Sequence, residues 1–182
     1  MIRSVVALGG PPGSGKSTAG RLVASELGLE YRSAGEAFRR EAQRRGLTLE
    51  ELGRYAERHP EVDRELDRAM EALARPGVLL EGRVQGALCR RRGVPVLWVV
   101  VTASEEERAR RIAGRDHQSL EEARTAIRRR EASERSRYLG FYGIDLDQER
   151  PDLEVDSTDR SPAEVAQRIV AFLQASGVGG GQ

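Results

Sequence analysis

Four short apolar segments recur along the chain, separated by longer stretches with helical periodicity. They cover residues 4–8, 78–80, 96–101 and 153–155. Their apolar character is continuous rather than alternating, which is typical of parallel strands buried on both faces. A fifth, short strand is predicted at Glu30-Tyr31-Arg32. The pattern therefore predicts an α/β fold with a doubly wound five-stranded parallel sheet, whose ligands bind beyond the carboxyl ends of the strands.

Helix starts between these strands are marked by five matches to the capping-box pattern, in which a serine or threonine precedes a glutamate by three positions. Two helical stretches are longer than a strand crossover requires. Residues 33–75 are expected to hold about three helices, and residues 104–147 an arginine-rich helix pair. We expect residues 1–175 to form a single domain and the glycine-rich residues 176–182 to be a disordered tail. The five predicted capping residues are Ser33, Thr48, Ser104, Ser119 and Ser161.

The segment after the first strand fits the phosphate-binding pattern G-x-x-x-x-G-K-[ST] at every fixed position. Glycines let such a loop turn its N–H groups toward an anion, and the helix that follows, predicted over residues 18–27, adds its N-terminal dipole. Lys16 is the only lysine of the chain, and Ser17 is placed to bind Mg²⁺ through its hydroxyl. The predicted ATP-binding residues of this loop are Gly10, Pro11, Pro12, Gly13, Ser14, Gly15, Lys16, Ser17 and Thr18.

Composition excludes several classes of partner and binding site for this chain. The 182 residues include 30 basic and 29 acidic side chains, a net charge of +1 that gives no reason to expect nucleic-acid or membrane partners. A single cysteine and two histidines exclude a disulfide framework and a clustered zinc site. Without a signal-peptide pattern or a membrane-length apolar run, we expect a cytoplasmic protein. We also expect the protein to be a monomer.

A phosphate loop alone does not distinguish kinases from GTPases or ring-forming ATPases. The guanine-recognition motif N-K-x-D needs a second lysine, which this chain lacks. The third strand ends in Leu80-Glu81-Gly82-Arg83, and an arginine at the carboxyl end of a strand favours a second anionic substrate. These features favour a kinase.

Further short segments follow the phosphate loop in a characteristic order. They are Ser33-Ala34-Gly35-Glu36 with Phe38-Arg39, then residues 53–57, 60–68, 80–83, 130–138 and 141–145, and finally Asp156-Ser157-Thr158. Together with the loop, these segments make the chain similar to P-loop nucleoside monophosphate kinases, and among them to cytidylate kinases of the short archaeal type. The resemblance extends from Gly9 to about Val170.

The resemblance implies transfer of the γ-phosphoryl group from MgATP to CMP or dCMP, with Mg²⁺ as cofactor. It implies that Lys16 and the loop amides hold the donor phosphates, that Ser17 binds the metal, and that Glu81 holds it through water. Arg115 and Ser157 are expected near the donor adenine. Because this chemistry relies on positioning and charge neutralisation, the expected catalytic residues are cationic. They are Lys16, Arg83, Arg130, Arg135 and Arg137.

By the same resemblance, residues 33–75 bind the acceptor nucleotide and residues 116–147 form a lid. Arg39 and Arg83 are expected to clamp the acceptor phosphate. The other charges of the lid helix, including Glu134, are interpreted as a solvated face. The longer bacterial cytidylate kinases have an acidic continuation where this chain has Val84-Gln85, so the groups that recognise cytosine stay open. The predicted CMP-binding residues are Ser33, Ala34, Gly35, Arg39, Asp63, Arg64, Gly82 and Arg83.

Two alternatives remain at this stage. One is a kinase of the same fold that acts on UMP, AMP or a small non-nucleotide alcohol. The other is a nucleotide-dependent binding module without kinase activity, associated with RNA through its arginine-rich faces.

Overall fold

A computed structural model describes residues 3–178 of the chain. Five strands form one parallel sheet in the order β2-β3-β1-β4-β5, as predicted for a doubly wound fold. Each strand predicted from the apolar segments is present, with ends that differ by one residue. The strands are β1 (Val5–Gly9), β2 (Glu30–Ser33), β3 (Val78–Glu81), β4 (Val96–Thr102) and β5 (Leu153–Asp156).

The strand order brings the two main motifs together. β1 pairs with β3 on one side and with β4 on the other, and Leu8 lies opposite Glu81 in the register. The Gly82 amide donates to the Leu8 carbonyl at 3.1 Å. The phosphate loop after β1 and the Glu81-Gly82-Arg83 segment after β3 therefore lie side by side at the carboxyl edge of the sheet, where open α/β sheets bind ligands.

Three of the five predicted capping boxes are complete, those at Thr48, Ser119 and Ser161. Ser33 and Ser104 each accept the amide three residues on without the reciprocal bond. The helices are α1 (Lys16–Leu27), α2 (Ala34–Arg44), α3 (Leu49–Arg58), α4 (Pro60–Glu71), α5 (Gln85–Arg91), α6 (Glu105–Asp116), α7 (Leu120–Tyr142) and α8 (Pro162–Val178).

Apolar residues cover both faces of the sheet, which explains the continuous apolar character of the strands. Val6 and Leu8 point to the face covered by α1 and α8, where Val23 and Ile169 are fully buried. The other face contains two clusters, formed by residues such as Ala7 and Trp98 near α5 and α7, and Val5 and Leu80 near α4 and α5.

The two long insertions are helical, as predicted. Helices α2–α4 lie between β2 and β3, α6 and α7 lie between β4 and β5, and α3 packs against α7. Helix α8 continues to Val178, so residues 176–178 of the predicted tail are helical; residues 179–182, the rest of that tail, lie outside the described part. Within residues 3–178, no helix combines the length and apolarity needed to cross a membrane.

Candidate active site

A single large cleft lies at the carboxyl edge of the sheet. Its volume is about 1210 Å³, and it is lined by the phosphate loop, the α2–α4 insertion, the β3–α5 connection and the inner face of α7. Pockets for one small molecule typically measure about 300–1,000 Å³. The cleft is therefore large enough for two ligands bound end to end.

Backbone geometry explains why the loop needs glycine. Gly10 and Gly13 have φ values of 142° and 80°, a region that side chains disfavour. A Cβ atom at Gly10 would lie 2.2 Å from the Val101 carbonyl oxygen, and one at Gly13 would lie 2.8 Å from that of Arg108. The loop is thus packed tightly against β4 and α6, which holds it in shape without a bound phosphate.

Lys16 begins α1 and extends into the cleft, where its ammonium lies 3.8 Å from a carboxylate oxygen of Glu81 and 3.3 Å from the Pro11 carbonyl. Glu81 is 2 % exposed and accepts hydrogen bonds from the Ser33 hydroxyl and, at 3.1 Å, from Tyr31. Burial lowers the pKa of Lys16 to about 8, although Glu81 acts in the opposite direction. An anionic phosphate beside this ammonium favours its charged form.

A second carboxylate, that of Glu134 on α7, joins two arginines of the cleft. Its oxygens accept from Arg83 Nε at 2.8 Å and from Arg130 Nε at 2.7 Å. Burial alone would raise the pKa of Glu134, but Arg130 and Arg83 lower it to about 2. Two guanidinium groups are therefore held beside Lys16, at the point where the two ends of the cleft meet.

At the end of the cleft that the sequence resemblance assigns to ATP, which we call the donor end, Arg111 and Ser157 form several hydrogen bonds. Arg111 donates to the Ser157 hydroxyl at 2.9 Å and to its carbonyl at 2.7 Å, and the Ser157 hydroxyl donates to the Ser14 carbonyl at 2.8 Å. These bonds tie the segment after β5 to the phosphate loop. Arg115 lies one turn after Arg111 in α6, lines the cleft and pairs with Asp116.

The opposite end of the cleft, which the sequence resemblance assigns to the acceptor and which we call the acceptor end, contains two buried aspartates of α4. Asp63 is paired with Arg137, whose guanidinium contacts both carboxylate oxygens. Asp67 accepts from the Gln85 amide at 2.9 Å and from the Tyr142 hydroxyl at 2.8 Å. Burial raises the pKa of Asp67 from 3.8 to about 7, and two neighbouring carboxylates act in the same direction.

Most of the predicted site residues line this cleft. Three others lie just behind it: Gly10 and Pro11 in the body of the loop, and Ser33 against Glu81. The predicted residues that line the cleft are Pro12, Gly13, Ser14, Gly15, Lys16, Ser17, Thr18, Ala34, Gly35, Arg39, Asp63, Glu81, Gly82, Arg83, Arg115, Arg130, Arg137 and Ser157.

Two predicted site residues do not line the cleft. Arg64 is exposed on α4. Arg135 pairs with Asp147 at 2.7 Å and with Asp145 at 3.5 Å on the outer side of α7. Helical geometry explains this, since positions 130, 134 and 137 share one face and position 135 is about 140° from position 130.

Sequence reasoning also missed four residues of the cleft. Glu134 was assigned to a solvated face but is buried, and its spacing of four from Arg130 was the available signal. Arg111 precedes Arg115 by one helical turn and therefore shares its face. Asp67 and Gln85 are brought together by packing between α4 and α5, and no short-range pattern indicated their contact.

Replacing Asp67 with asparagine is expected to stabilise the protein above neutral pH. A carboxyl whose pKa rises from 3.8 to about 7 on folding favours the folded state when protonated, and that contribution is lost as the pH rises through 7. Asparagine is neutral throughout. Thermal unfolding should show a gain on the order of 2 kcal/mol at about pH 8 that shrinks toward about pH 4. Lower stability of the variant at pH 8 would contradict this interpretation.

Sequence similarity connects the chain with proteins of known families. A family model described as "AAA domain" matches residues 6–138. Cytidylate kinase of Sulfurisphaera tokodaii is 37% identical over 172 residues, which cover 93% of this chain and 94% of the relative. Cytidylate kinase of Pyrococcus furiosus is 41% identical over 171 residues, 93% of this chain and 88% of the relative. That of Archaeoglobus fulgidus is 40% identical over 144 residues, 78% of each chain.

Solved structures match the fold at lower identity. Shikimate kinase from Acinetobacter baumannii has a TM-score of 0.63 and 20% identity, with 96% of this chain and 94% of that chain covered. The protein TT1252 from Thermus thermophilus has a TM-score of 0.61 and 21% identity, with 97% and 98% covered. These likenesses show a shared fold, and the sequence relatives identify the family. With identities of about 40% over most of its length, the chain belongs to the cytidylate kinase family.

Proposed function

We propose that the protein transfers the γ-phosphoryl group of ATP to CMP or dCMP, giving ADP and CDP or dCDP. The observation that carries this proposal is the continuity of the cleft. Its phosphate loop and its acceptor end meet at Lys16, Arg83 and Arg130, which lie around the buried carboxylates of Glu81 and Glu134. The acceptance of cytidine nucleotides is supported by the named activity of the relatives.

In this reaction an oxygen of the acceptor phosphate attacks the γ-phosphorus, and the bond to the bridging oxygen of the β-phosphate breaks. Negative charge is spread over the transferring group in the transition state, so fixed cations act mainly by electrostatic stabilisation. Lys16 is placed for the donor phosphates by its position at the loop. Arg83 and Arg39 are placed for the acceptor phosphate, and Arg130 faces the junction between them.

The residues present fit a magnesium ion bound together with ATP. Ser17 at the start of α1 and Glu81 at the end of β3 both line the cleft and supply hard oxygen atoms. Among residues 3–178 there is no group of three or more histidine, cysteine or acidic side chains able to hold a metal alone. This suits Mg²⁺, which takes most of its ligands from phosphates and water and supplies charge neutralisation when bound.

We assign the acceptor role to residues 33–75 and the lid role to residues 116–147. Both segments lie over the cleft, and α3 contacts α7 across it. Closure of such helices around two bound nucleotides excludes water and so favours transfer to the acceptor over hydrolysis of ATP.

The proposal is tested by ADP release with MgATP and one acceptor at a time: CMP, dCMP, UMP, AMP or none. Turnover is expected with CMP and dCMP, with ATP hydrolysis in the absence of an acceptor at least about 100-fold slower. Equal turnover with AMP or UMP would reassign the acceptor. ATP binding without acceptor-dependent turnover would favour a nucleotide-dependent binding module instead.

A further inference from the structure

The acceptor end of the cleft contains a carboxylate without a charged partner among its hydrogen bonds. Asp67 is 8 % exposed, and its side chain lines the cleft. Both of its recorded hydrogen-bond donors, Gln85 and Tyr142, are neutral, whereas Asp63 one turn earlier is neutralised by Arg137. A buried ionised carboxylate is costly without a counter-charge. Residues of this kind in a cleft are candidates for ligand recognition.

The position of Asp67 is fixed from two sides. Gln85 accepts from the Val84 amide through Oε1 at 3.2 Å, which directs its Nε2 toward Asp67. Gly82 leaves the space for this arrangement, since a Cβ atom there would lie 1.9 Å from Gln85 Oε1. Tyr142 fixes the second carboxylate oxygen from α7. Asp67 is therefore held in one orientation by two other parts of the fold, α5 and the end of α7.

This arrangement leaves hydrogen-bonding capacity for a ligand. An ionised carboxylate accepts about four hydrogen bonds, of which two are used, and a glutamine amide has two N–H donors, of which one is used. The unused hydrogen-bonding groups are therefore an anionic acceptor on Asp67 and a neutral N–H donor on Gln85. Phe38 and Leu66 line the same part of the cleft and offer apolar surface for the face of a flat ring.

Pyrimidine bases differ at the edge that such a pair would contact. Cytosine presents an exocyclic amine that donates and a ring nitrogen that accepts, whereas uracil presents a carbonyl oxygen and a ring N–H at the same positions. The ionised form of Asp67, which predominates above its pKa of about 7, accepts hydrogen bonds only, so it binds the amine of cytosine and repels the carbonyl of uracil. Arg83, two residues before Gln85, lies where a phosphate of the same nucleotide is expected.

We propose that Asp67 recognises the exocyclic amine of the cytosine in the acceptor nucleotide, with Gln85 and Tyr142 as the residues that position it. This inference rests on the proposed function, because it assigns the base-recognising group of that same site. It makes Asp67 the determinant of cytosine over uracil. It also gives a role to Gln85. At this point of the sequence the longer bacterial cytidylate kinases have an acidic continuation instead.

The first test compares kcat/KM for CMP and UMP in the wild type, in Asp67→Asn and in Asp159→Asn. The second variant makes the same chemical change at an exposed position. In Asp67→Asn the ratio of CMP to UMP should fall about 10- to 100-fold, because the new amide can donate to the uracil carbonyl. The ratio in Asp159→Asn should equal that of the wild type. A ratio is insensitive to the fraction of active enzyme, so a purely structural effect of the substitution would not change it.

A second test changes the substrate instead of the protein. The 5′-monophosphate of the pyrimidin-2-one ribonucleoside lacks only the amine of CMP. Wild-type kcat/KM should be about 10- to 100-fold lower for this analogue than for CMP. In Asp67→Asn the difference between the analogue and CMP should shrink severalfold, since a neutral amide oxygen is a weaker acceptor for the amine than a carboxylate. The wild-type comparison does not depend on whether the variant folds.

The outcomes separate this inference from the proposed function. Absence of CMP turnover in the wild type would overturn the proposed function itself. Wild-type turnover that prefers CMP, combined with an unchanged ratio in Asp67→Asn or full activity with the analogue, would overturn the role of Asp67 alone. A reduced ratio in the variant together with a poor analogue would support it.

Discussion

Replacing Lys16 with methionine is expected to lower kcat about 1,000-fold or more, the largest effect that we predict for a single substitution. The ammonium lies in the cleft next to the phosphate loop and Glu81, so we expect it to face the phosphates on which charge develops during transfer. Methionine has a similar length without the charge. The measurement is ADP release with saturating MgATP and CMP.

Lys16→Arg is the matched variant that retains the positive charge. We expect a loss nearly as large, because a planar guanidinium does not fit where the compact ammonium lies between Pro11 and Glu81. Activity of Lys16→Arg within about 10-fold of the wild type would show that net charge alone is sufficient. Activity of Lys16→Met close to the wild type would contradict the role of the loop in catalysis.

Chemical labelling offers an independent test of the same residue. Lys16 is the only lysine in the sequence, and burial lowers its pKa to about 8, so a substantial fraction is the nucleophilic free amine at that pH. An amine-reactive reagent should modify Lys16, and MgATP should protect it. Mass spectrometry separates this site from the N-terminal amine. Labelling that is unaffected by ATP would place the nucleotide elsewhere.

Replacing Arg83 with lysine is expected to lower kcat/KM for CMP about 100- to 1,000-fold, the second largest effect. The Arg83 guanidinium is held by Glu134 at 2.8 Å at the junction of the two halves of the cleft. Lysine retains the charge but cannot bind a phosphate through two parallel N–H groups. The dissociation constant of ATP should change by less than about twofold, which distinguishes an acceptor role from damage to the loop.

Arg135→Ala serves as the control for the arginines of this region. Arg135 lies outside the cleft and forms an exposed pair with Asp147, so kcat and KM should stay within about twofold of the wild type. A large loss of activity in this variant would show that Arg135 reaches the substrates when the lid closes. Near wild-type kinetics in Arg83→Lys would remove Arg83 from the proposed acceptor clamp.

The elements of the fold were predictable because the information about them is local. Continuous apolar runs predicted four of the five strands, and β2 was predicted as a short strand at residues 30–32 without such a run. The serine and threonine caps marked helix starts that the structure confirms. The phosphate loop was predictable for the same reason, since its glycines, lysine and serine are adjacent in sequence and its geometry follows from backbone conformation.

The charged residues of the cleft were predicted less well. A run of arginines on α7 does not by itself say which of them face inward, and the structure places Arg130 and Arg137 inside but Arg135 outside. Glu134 was indistinguishable in sequence from a solvated glutamate, although it is buried between two arginines. Both depend on the rotation of α7 about its axis, which packing against the rest of the protein fixes.

The sequence by itself determined that this chain is a P-loop protein of the doubly wound α/β class, because a loop that binds phosphate is encoded within one short segment between a strand and a helix. The tertiary structure decided which side chains share the acceptor end. Asp67 and Gln85 are 18 positions apart on different helices, and Tyr142 is 75 positions from Asp67. Contacts at such separations arise only when the helices pack on a common sheet, and no local pattern of residues encodes them.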